Sequence, residues 1–227
     1  FRSNADPDIQ RGIDAASAGD TVHVQAGRYD NNLTIDKRIA LTGEGSGSNT
    51  AGNTVIHSAA SSTPVIVIAA SGDSAADRLV VQDLRVTGAT GSGNPGSGVR
   101  VTAGGSYLTF DNVAAVANEA HGLNLDLMGT MTDVVVTNSD LSSNNGSGLN
   151  QNSYVTLDGL TLTNNTLSDN DIGAYLEGTI RDLTVTGDTY ANSGDVGLYV
   201  AKLYDGGVIS GITADGNVRG LVLYPYS

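Results

Sequence analysis

Apolar residues in the second half of the chain lie two positions apart in short runs, and the runs recur about every 24 residues. The pairs are Leu84/Val86, Leu108/Phe110, Val134/Val136, Leu160/Leu162, Leu183/Val185 and the weaker Gly207/Ile209. Such alternation turns one face of a strand inward and the other toward solvent. No segment of this half keeps a helical period. The pattern therefore predicts one short, half-buried strand at this position of every repeat.

Two further markers keep nearly the same period. A glycine followed by an apolar residue recurs at intervals of 24, 26, 25, 24 and 23 residues, at Gly98, Gly122, Gly148, Gly173, Gly197 and Gly220. Just before each of these marker glycines stands an asparagine: Asn94, Asn118, Asn144, Asn170, Asn192 and Asn217. Asparagine enters the left-handed backbone region cheaply, and its amide can bond to the asparagine one coil away. We predict a solenoid with an asparagine ladder at a fixed bend.

The first part of the chain repeats less regularly. Strands are predicted at 54–58, 64–70 and 79–87, with Gly/Ser-rich excursions at 45–53 and 88–97. The strand pattern resumes on both sides of each excursion, so we interpret the excursions as loops that leave the coil. We predict one domain over residues 1–227, with an amino-terminal cap at 1–20, irregular coils at 21–97 and regular coils at 98–227.

The stretch from Ile9 to Ile56 resembles the cap and first coils of the pectin-lyase-like, right-handed parallel β-helix superfamily. The matching elements are a short amphipathic helix around Ile9 and Ile13, then Gly19-Asp20-Thr21-Val22, Gly27-Arg28-Tyr29, Leu33-Thr34-Ile35 and Ile39-Ala40-Leu41-Thr42-Gly43. The resemblance implies an all-β, right-handed, single-stranded parallel β-helix of about eight coils, closed at its amino end by a helix. The superfamily includes lyases, hydrolases, esterases and noncatalytic surface proteins, so no single reaction is implied.

Composition narrows the classes of partner. The chain carries 24 acidic and 11 basic residues, a net charge of −13, which disfavours nucleic acid and anionic membrane surfaces. The absence of cysteine excludes disulfides and thiolate chemistry. No apolar run approaches the roughly 20 residues of a membrane-spanning helix. We expect an extracellular or cell-surface protein whose partners are polysaccharide or like subunits.

The superfamily's enzymatic motifs are incomplete in this chain. His121 lacks the preceding glycine of a Gly-His-Gly motif, and Asp6-Pro7 is followed by Asp8 where an epimerase-like motif has histidine. No Arg-x-Lys motif occurs. The motifs therefore give no support to a particular reaction.

The best candidate site comes from the repeat itself. Residues two and four positions after each marker glycine are predicted to point outward and to stack along one face about 4.8 Å apart. Rings in such a strip would stack on sugars, and polar groups would bond to hydroxyls. The candidate carbohydrate-binding residues are Asn124, Asp126, Asn150, Asn152, Tyr175, Glu177 and Tyr199.

An enzymatic interpretation uses the same strip. Asp126 and Glu177 lie two coils apart, which predicts roughly 9 to 10 Å between them, near the upper limit for an inverting carboxylate pair. Arg100 or Lys202 would then be the nearby base. The alternative function is therefore a polysaccharide lyase or glycoside hydrolase.

Two minor interpretations complete the candidates. Acid-rich loops could hold Ca²⁺ through Asp169, Asp171, Asp188 and Asp195, although they lack EF-hand spacing; no other cofactor is predicted. Thr161/Thr163 and Thr184/Thr186 form two Thr-x-Thr pairs of the kind that ice-binding solenoids array, although β-propensity alone accounts for threonine in strands.

The leading hypothesis is a noncatalytic extracellular surface or matrix module, structural or adhesive, that contacts polysaccharide. The carboxy end, Gly220-Leu221-Val222-Leu223-Tyr224-Pro225-Tyr226-Ser227, is an apolar strand without a polar capping unit. We expect this end to be covered by a continuation of the chain or by a like subunit stacked end to end into an oligomer or filament.

Overall fold

The computed structural model describes residues 8–60 and 62–225, without the side chain of Pro225. Within these residues the chain winds into a parallel solenoid of about eight turns with one short amino-terminal helix. Every pairing between its named strands is parallel and joins a strand to its equivalent one turn later. The predicted right-handed parallel β-helix is confirmed.

Residues 8–60 and 62–225 form one α-helix, one 3₁₀ helix and seventeen strands. Helix α1 spans Ile9–Ala15, and the 3₁₀ helix spans Asn94–Gly96. The strands are β1 Thr21–His23, β2 Gly27–Asp30, β3 Leu33–Ile35, β4 Ala40–Thr42, β5 Thr54–His57, β6 Ile66–Ile68, β7 Leu79–Thr87, β8 Val99–Val101, β9 Leu108–Val116, β10 Leu123–Leu125, β11 Gly129–Thr137, β12 Ser147–Gln151, β13 Val155–Thr163, β14 Ile172–Thr186, β15 Val196–Leu203, β16 Gly207–Ser210 and β17 Arg219–Pro225. Neither helix of the described chain is long and apolar enough to span a bilayer.

One face of the solenoid carries the marker glycines, and we call it the marker-glycine sheet. It contains β3, β6, β8, β10, β12, the first half of β14, β15 and β17, paired in this order. A second face contains β1, β4, β7, β9, β11, β13, the second half of β14 and β16. Loops join the two faces in the coils before β14, whereas β14 passes from one face to the other without ending. The loops that follow β8, β10 and β12 carry the candidate site described below.

Helix α1 closes the first coil, as the amphipathic pattern predicts. Ile9 and Ile13 are buried against the core. Asp8 caps the helix by accepting a hydrogen bond from the N–H of Gln10 at 3.0 Å. The Lys37 ammonium donates to the carbonyl oxygens of Ile13 and Asp14, both at 3.2 Å, and so satisfies acceptors at the helix end.

The core is one cluster of inward side chains that extends from Ile9 to Val200. The predicted inward pairs from Leu108/Phe110 to Leu183/Val185 are all buried. The expected alignment of Leu84/Val86 with Leu108/Phe110 is wrong. Leu79 and Val81 pair with Leu108 and Phe110 instead, whereas Leu84 and Val86 pair with Val113 and Ala115 around the next corner. The excursion over 88–97 lengthens this turn and shifts its register away from the 24-residue spacing.

Three of the six marker asparagines form a continuous ladder inside the solenoid. The Asn118 amide donates to Asn144 Oδ1 at 3.1 Å, and the Asn144 amide donates to Asn170 Oδ1 at 3.2 Å. The expected left-handed conformation is wrong for these residues. It belongs to the residues just before them, Ala117, Ser143 and Asp169, with φ between 55° and 59°.

The other three marker asparagines do not continue the ladder. Asn94 lies in the 3₁₀ helix and takes part in a different network. Asn192 stands one residue early, at the left-handed position, so Ser193 occupies the ladder position. The shorter serine side chain leaves its buried Oγ without a hydrogen bond among the described residues. Asn217 accepts from the N–H of Ser193 at 2.7 Å and donates to the carbonyl of Tyr190.

A second ladder lies at another bend. Asn165 Oδ1 accepts from the N–H of Ser139 at 3.0 Å, and Asp188 Oδ1 accepts from the N–H of Asn165 at 2.8 Å. Tyr190, which is fully buried, donates its hydroxyl to Asp188 Oδ2 at 2.9 Å. These side chains satisfy backbone groups that cannot reach a neighbouring strand at the bend.

The last described coil leaves its inward positions uncovered. Leu221 and Leu223 pair with the buried Leu198 and Val200 of the coil before, yet they are 43% and 39% exposed. Val208 and Val218 are also exposed. The division of the chain into cap, irregular coils and regular coils stays a prediction.

We predict that Asn144→Ala destabilises the fold by about 3 kcal/mol or more, because each buried backbone group left unpaired costs about 1–3 kcal/mol. Asn144 donates to the carbonyls of Ala115 and Leu141 and accepts from the N–H of Asn118. Denaturant unfolding followed by circular dichroism measures the loss. Asn145→Ala is the matched control, since its side-chain amide is exposed and donates to Glu119 at the surface. Equal stability of the two variants would contradict a structural role for the ladder.

Candidate functional site

The predicted first row of the strip is in register on the marker-glycine sheet. Arg100, Asn124, Asn150, Tyr175, Tyr199 and Val222 occupy equivalent positions on successive strands. Their expected exposure is wrong for two members. Asn124 is fully buried and Asn150 is 6% exposed. Both amides belong to a hydrogen-bonded chain that leads to the segment containing the 3₁₀ helix.

That chain of amides ends on a carboxylate. Asn150 donates to Asn124 Oδ1 at 2.9 Å, and Asn124 donates to Asn94 Oδ1 at 3.0 Å. Asn94 in turn donates to Asp126 Oδ2 at 2.8 Å. Asn94 is thus corrected from a ladder residue to the link between the loop at 88–97 and the sheet. The buried amides are fixed in orientation by their neighbours, so they are unavailable as free sugar-binding groups.

Asp126 is the hub of this network. Its Oδ2 also accepts from Arg100 Nε at 2.8 Å and from Arg100 Nη2, while its Oδ1 accepts from the Asn152 amide and the Tyr154 hydroxyl. The side chain is 2% exposed. The expected outward, exposed position of Asp126 is therefore wrong, and both of its oxygens accept from neighbouring side chains.

Of the other predicted catalytic residues, Arg100 contacts Asp126, whereas Glu177 and Lys202 lie farther along the sheet. Asn152, which precedes Glu177 in the second row, fills the place between the two carboxylates by donating to Asp126. Lys202 is paired in register with Thr179, beyond Glu177 on β14. Arg100 is held by Asp126 as an ion pair and is not free as a base.

Beside Asp126 lies a cleft that we call the Tyr154 cleft. It has a volume of about 680 Å³ and is lined by Asn94, Arg100, Thr102, Ala103, Gly104, Asp126, Leu127, Met128 and Tyr154. The lining comes from strand β8, from the loops that follow β8, β10 and β12 on three successive coils, and from the 3₁₀ helix. Tyr154 is 49% exposed and Met128 is 86% exposed. The cleft therefore combines an aromatic wall, an apolar tip and a polar floor.

The pKa values of Tyr154 in the cleft and of His121 near Asp126 are shifted. The hydrogen bond to Asp126, followed by burial and by the charge of Asp126, raises the pKa of Tyr154, so the hydroxyl remains a donor. Burial lowers the pKa of nearby His121 to about 4, against the opposing effect of the Asp126 charge. His121 Nδ1 accepts from the N–H of Ser147 at 3.1 Å. His121 is thus a neutral residue engaged in backbone bonding.

The tyrosines of the strip stack on one another. The rings of Tyr175 and Tyr199 are 4.9 Å apart with an interplanar angle of 24°, and Tyr224 meets Tyr199 edge-on at 5.9 Å. Rings stacked face to face present edges and hydroxyls to solvent. The predicted use of their faces for sugar stacking is therefore wrong between Tyr175 and Tyr199. Burial and the charge of Glu177 raise the pKa of Tyr175.

The proposed calcium ligands lie in different environments. Asp188 is fully buried in the second ladder, and Asp195 forms an ion pair with Arg219 at 2.7 Å. Asp169 adopts the left-handed conformation at the bend beside the exposed Asp171. The described residues contain no group of three or more histidine or acidic side chains placed to hold a metal ion. For Asp188 the calcium prediction is wrong, because its oxygens accept bonds from Asn165 and Tyr190.

The threonine pairs form a small array on the second face. Thr161 pairs with Thr184, and Thr163 pairs with Thr186. Val135 and Val208 flank the first row on either side. The ice-binding function stays a minor prediction.

Comparison with known proteins addresses the fold directly. A family profile described as a right-handed β-helix region matches residues 97–227, more than half of the chain. The chain belongs to the right-handed β-helix family. This agrees with the pectin-lyase-like resemblance of its amino-terminal part.

Two other comparisons add little about the activity of this β-helix protein. A solved structure of ORF18 from Geobacillus virus E2 is similar with a TM-score of 0.44 and 14% sequence identity. The similarity covers 92% of this chain and 56% of that one, so the β-helix protein spans little more than half of its length. No curated protein matches the sequence.

Sequence reasoning named Asn94, Arg100 and Asp126 but missed Tyr154 and Met128, the exposed residues that line the cleft beside them. Tyr154 and Met128 stand in loops between strands, where the repeat pattern carries no information about position. The available signal was local: each follows the second row of the strip by two residues, after Asp126 and Asn152. Residues just beyond a strand end belong to the loops that line a site on a regular scaffold.

We predict that Asp188→Asn makes the β-helix protein more stable at neutral pH. Burial raises the pKa of Asp188, so the folded state binds a proton more tightly than the unfolded state. The stability associated with this proton is complete below the ordinary pKa of aspartate and is lost as pH rises through the folded pKa. Asparagine resembles the protonated acid and removes this loss.

The measurement is the unfolding midpoint of wild type and of Asp188→Asn from pH 3 to pH 8, in steps of about one pH unit. The difference should grow with pH. Asp169→Asn is the control, because that aspartate is exposed. A difference that is the same at every pH would contradict the linkage.

Proposed function

We propose that this protein is a noncatalytic extracellular surface or matrix module that binds polysaccharide in the Tyr154 cleft. The observation that carries the proposal is the saturation of Asp126. Its carboxylate accepts from the side chains of Asn94, Arg100, Asn152 and Tyr154. A carboxylate held in this way is a poor proton donor or acceptor in a reaction, since a charge-assisted bond to each donor would have to be broken first.

The same bonds favour binding. Asp126 joins a 3₁₀ helix, a strand residue and a loop residue from separate coils, so the walls of the cleft are fixed before a ligand enters. Rigid walls lower the entropy cost of association. The volume of about 680 Å³ lies within the roughly 300–1,000 Å³ range of ligand sites.

Sugar chemistry fits the exposed groups of the cleft. The half-exposed ring of Tyr154 offers an apolar face, and its hydroxyl bond to Asp126 fixes the orientation of that ring. Thr102 and Arg100 offer hydrogen-bonding groups beside it. An aromatic face bordered by a few polar groups is suited to a ring that is apolar on one side and carries hydroxyls at its edge.

The alternative is a polysaccharide lyase or glycoside hydrolase. It would need a second carboxylate or a free base in the Tyr154 cleft, and of the described residues that line it only Asp126 and Arg100 are charged. The two bind one another. We therefore rank binding above catalysis.

The proposal is tested by binding to an array of neutral, amino and uronate oligosaccharides, with product release measured on every ligand found. Tyr154→Ala should weaken binding about tenfold or more, since an aromatic contact of roughly 1.4 kcal/mol corresponds to that factor. Tyr154→Phe should retain most of the affinity, because it keeps the ring.

Tyr204→Ala is the control for the same experiment. Tyr204 is 40% exposed in the loop after β15, two coils beyond Tyr154 and outside the lining of the cleft, so its removal should leave the affinity unchanged. Binding that survives Tyr154→Ala, or oligosaccharides shortened by the wild-type protein, would count against the proposal.

End-to-end association of like subunits is a second part of the proposed function. The exposed Leu221 and Leu223 occupy inward positions of the last described coil, and an apolar layer of this kind is stabilised by stacking on another coil. Sedimentation velocity should show a larger species that grows with concentration. Leu221→Asp should shift it to monomer, whereas Val67→Asp, at an outward position of β6 elsewhere on the sheet, should not. A monomer at all concentrations would contradict this association.

A further inference from the structure

The charge balance of the Tyr154 cleft narrows the class of ligand beyond the proposed function, on which this inference rests. Arg100 and Asp126 are the two charged residues among the described lining, and they form an ion pair. The cleft therefore has no net charge of its own. The chain around it carries a net charge of −13. An acidic sugar would be repelled by the protein without finding an uncompensated cation in the cleft.

Arg100 still has donors to offer. Its Nε and Nη2 bond to Asp126, whereas Nη1 makes no hydrogen bond to the described residues. The side chain is 28% exposed and lines the cleft. A guanidinium whose charge is already compensated suits a neutral acceptor such as an amide carbonyl, because it donates in a fixed plane.

The apolar tip of the cleft is the second constraint. Leu127 and Met128 lie in the loop between β10 and β11, and Met128 is 86% exposed. An unbranched thioether adapts its shape to a small apolar group. Hydroxyl groups alone would gain nothing from these two side chains, whereas a methyl group on the ligand would bury apolar surface against them.

We infer that the Tyr154 cleft binds a neutral glycan that carries an N-acetylated sugar. The sugar ring packs on Tyr154, the acetamido carbonyl accepts from Arg100, and the acetamido methyl group packs against Leu127 and Met128. The acetamido group thus contacts both Arg100 on the polar side of the cleft and the apolar side chains of Leu127 and Met128. Unsubstituted neutral sugars use only the ring contact, and uronates add a charge for which the cleft has no partner.

Isothermal titration of the full chain with three oligosaccharides tests this inference. The probes are chitotetraose, cellotetraose, which has the same linkage without acetamido groups, and tetragalacturonate. Chitotetraose should bind about tenfold more tightly than cellotetraose, and tetragalacturonate should bind most weakly at low ionic strength. Met128→Ser should lower the affinity ratio of chitotetraose to cellotetraose, because the acetamido methyl group loses its contact with the thioether while the hydrogen bond from Arg100 remains.

Val218→Ser is the matched control, because Val218 is an exposed apolar residue outside the cleft at 76% exposure. It should leave the affinity ratio unchanged. A ratio near one in the wild-type protein, with binding still lost in Tyr154→Ala, would overturn the N-acetyl inference and leave the proposed function standing. Tightest binding of tetragalacturonate would overturn the neutral ligand. Absence of binding to every glycan would overturn the proposed function itself.

Discussion

Parallel stacking of equivalent residues, about 4.8 Å apart from coil to coil, is the constraint on which this structure depends. On the flat faces this stacking pairs the backbone N–H and C=O groups, because each strand forms hydrogen bonds with the coils before and after it. At the bends the backbone turns away from its neighbours, and side chains must complete the bonding. The ladders Asn118–Asn144–Asn170 and Ser139–Asn165–Asp188 do so from inside the solenoid.

Bends also require left-handed backbone conformations, and at one corner the chain places residues there that adopt this conformation easily. At one corner the left-handed conformation recurs on six coils, with φ between 51° and 71°, at Asp83, Asn112, Asn138, Asn164, Gly187 and Gly211. All six are Asp, Asn or Gly, the residues that adopt it at lowest cost. Strands β7 and β9 turn this corner without ending, which is why each serves two faces.

The same need for satisfied polar groups produces the Tyr154 cleft. The loop at 88–97 leaves the regular coil and returns over the marker-glycine sheet, where it would bury polar groups without partners. Asn94, Asn124 and Asp126 provide these partners for one another. An arrangement that stabilises the loop also fixes the walls of a cleft. Asp126 is therefore the central residue both of a hydrogen-bond network that stabilises the fold and of the candidate binding site.

Several features could be predicted from particular residues. The alternation at Leu108/Phe110, Val134/Val136 and Leu160/Leu162 identified inward positions, because a strand turns every second side chain to the same side. The resemblance around Ile9 and Ile13 located the capping helix. The order of the residues along the candidate strip was predicted correctly, but the exposure of their side chains was not. Periodicity places Asn124 and Asp126 on an outward face, and only the returning loop decides that they are buried.

The sequence by itself determined the solenoid, its period, its inward rows and its cap, because these depend on contacts between a residue and its equivalents about 24 positions away. Only the tertiary structure decided which asparagines join the ladder, that Asp188 is buried with Tyr190, and that Asp126 meets Arg100 and Tyr154. These outcomes depend on where irregular loops fold back. A shift of one residue is enough to change the outcome: Asn192 stands at the left-handed position of the bend, and Ser193 takes the ladder position inside the solenoid.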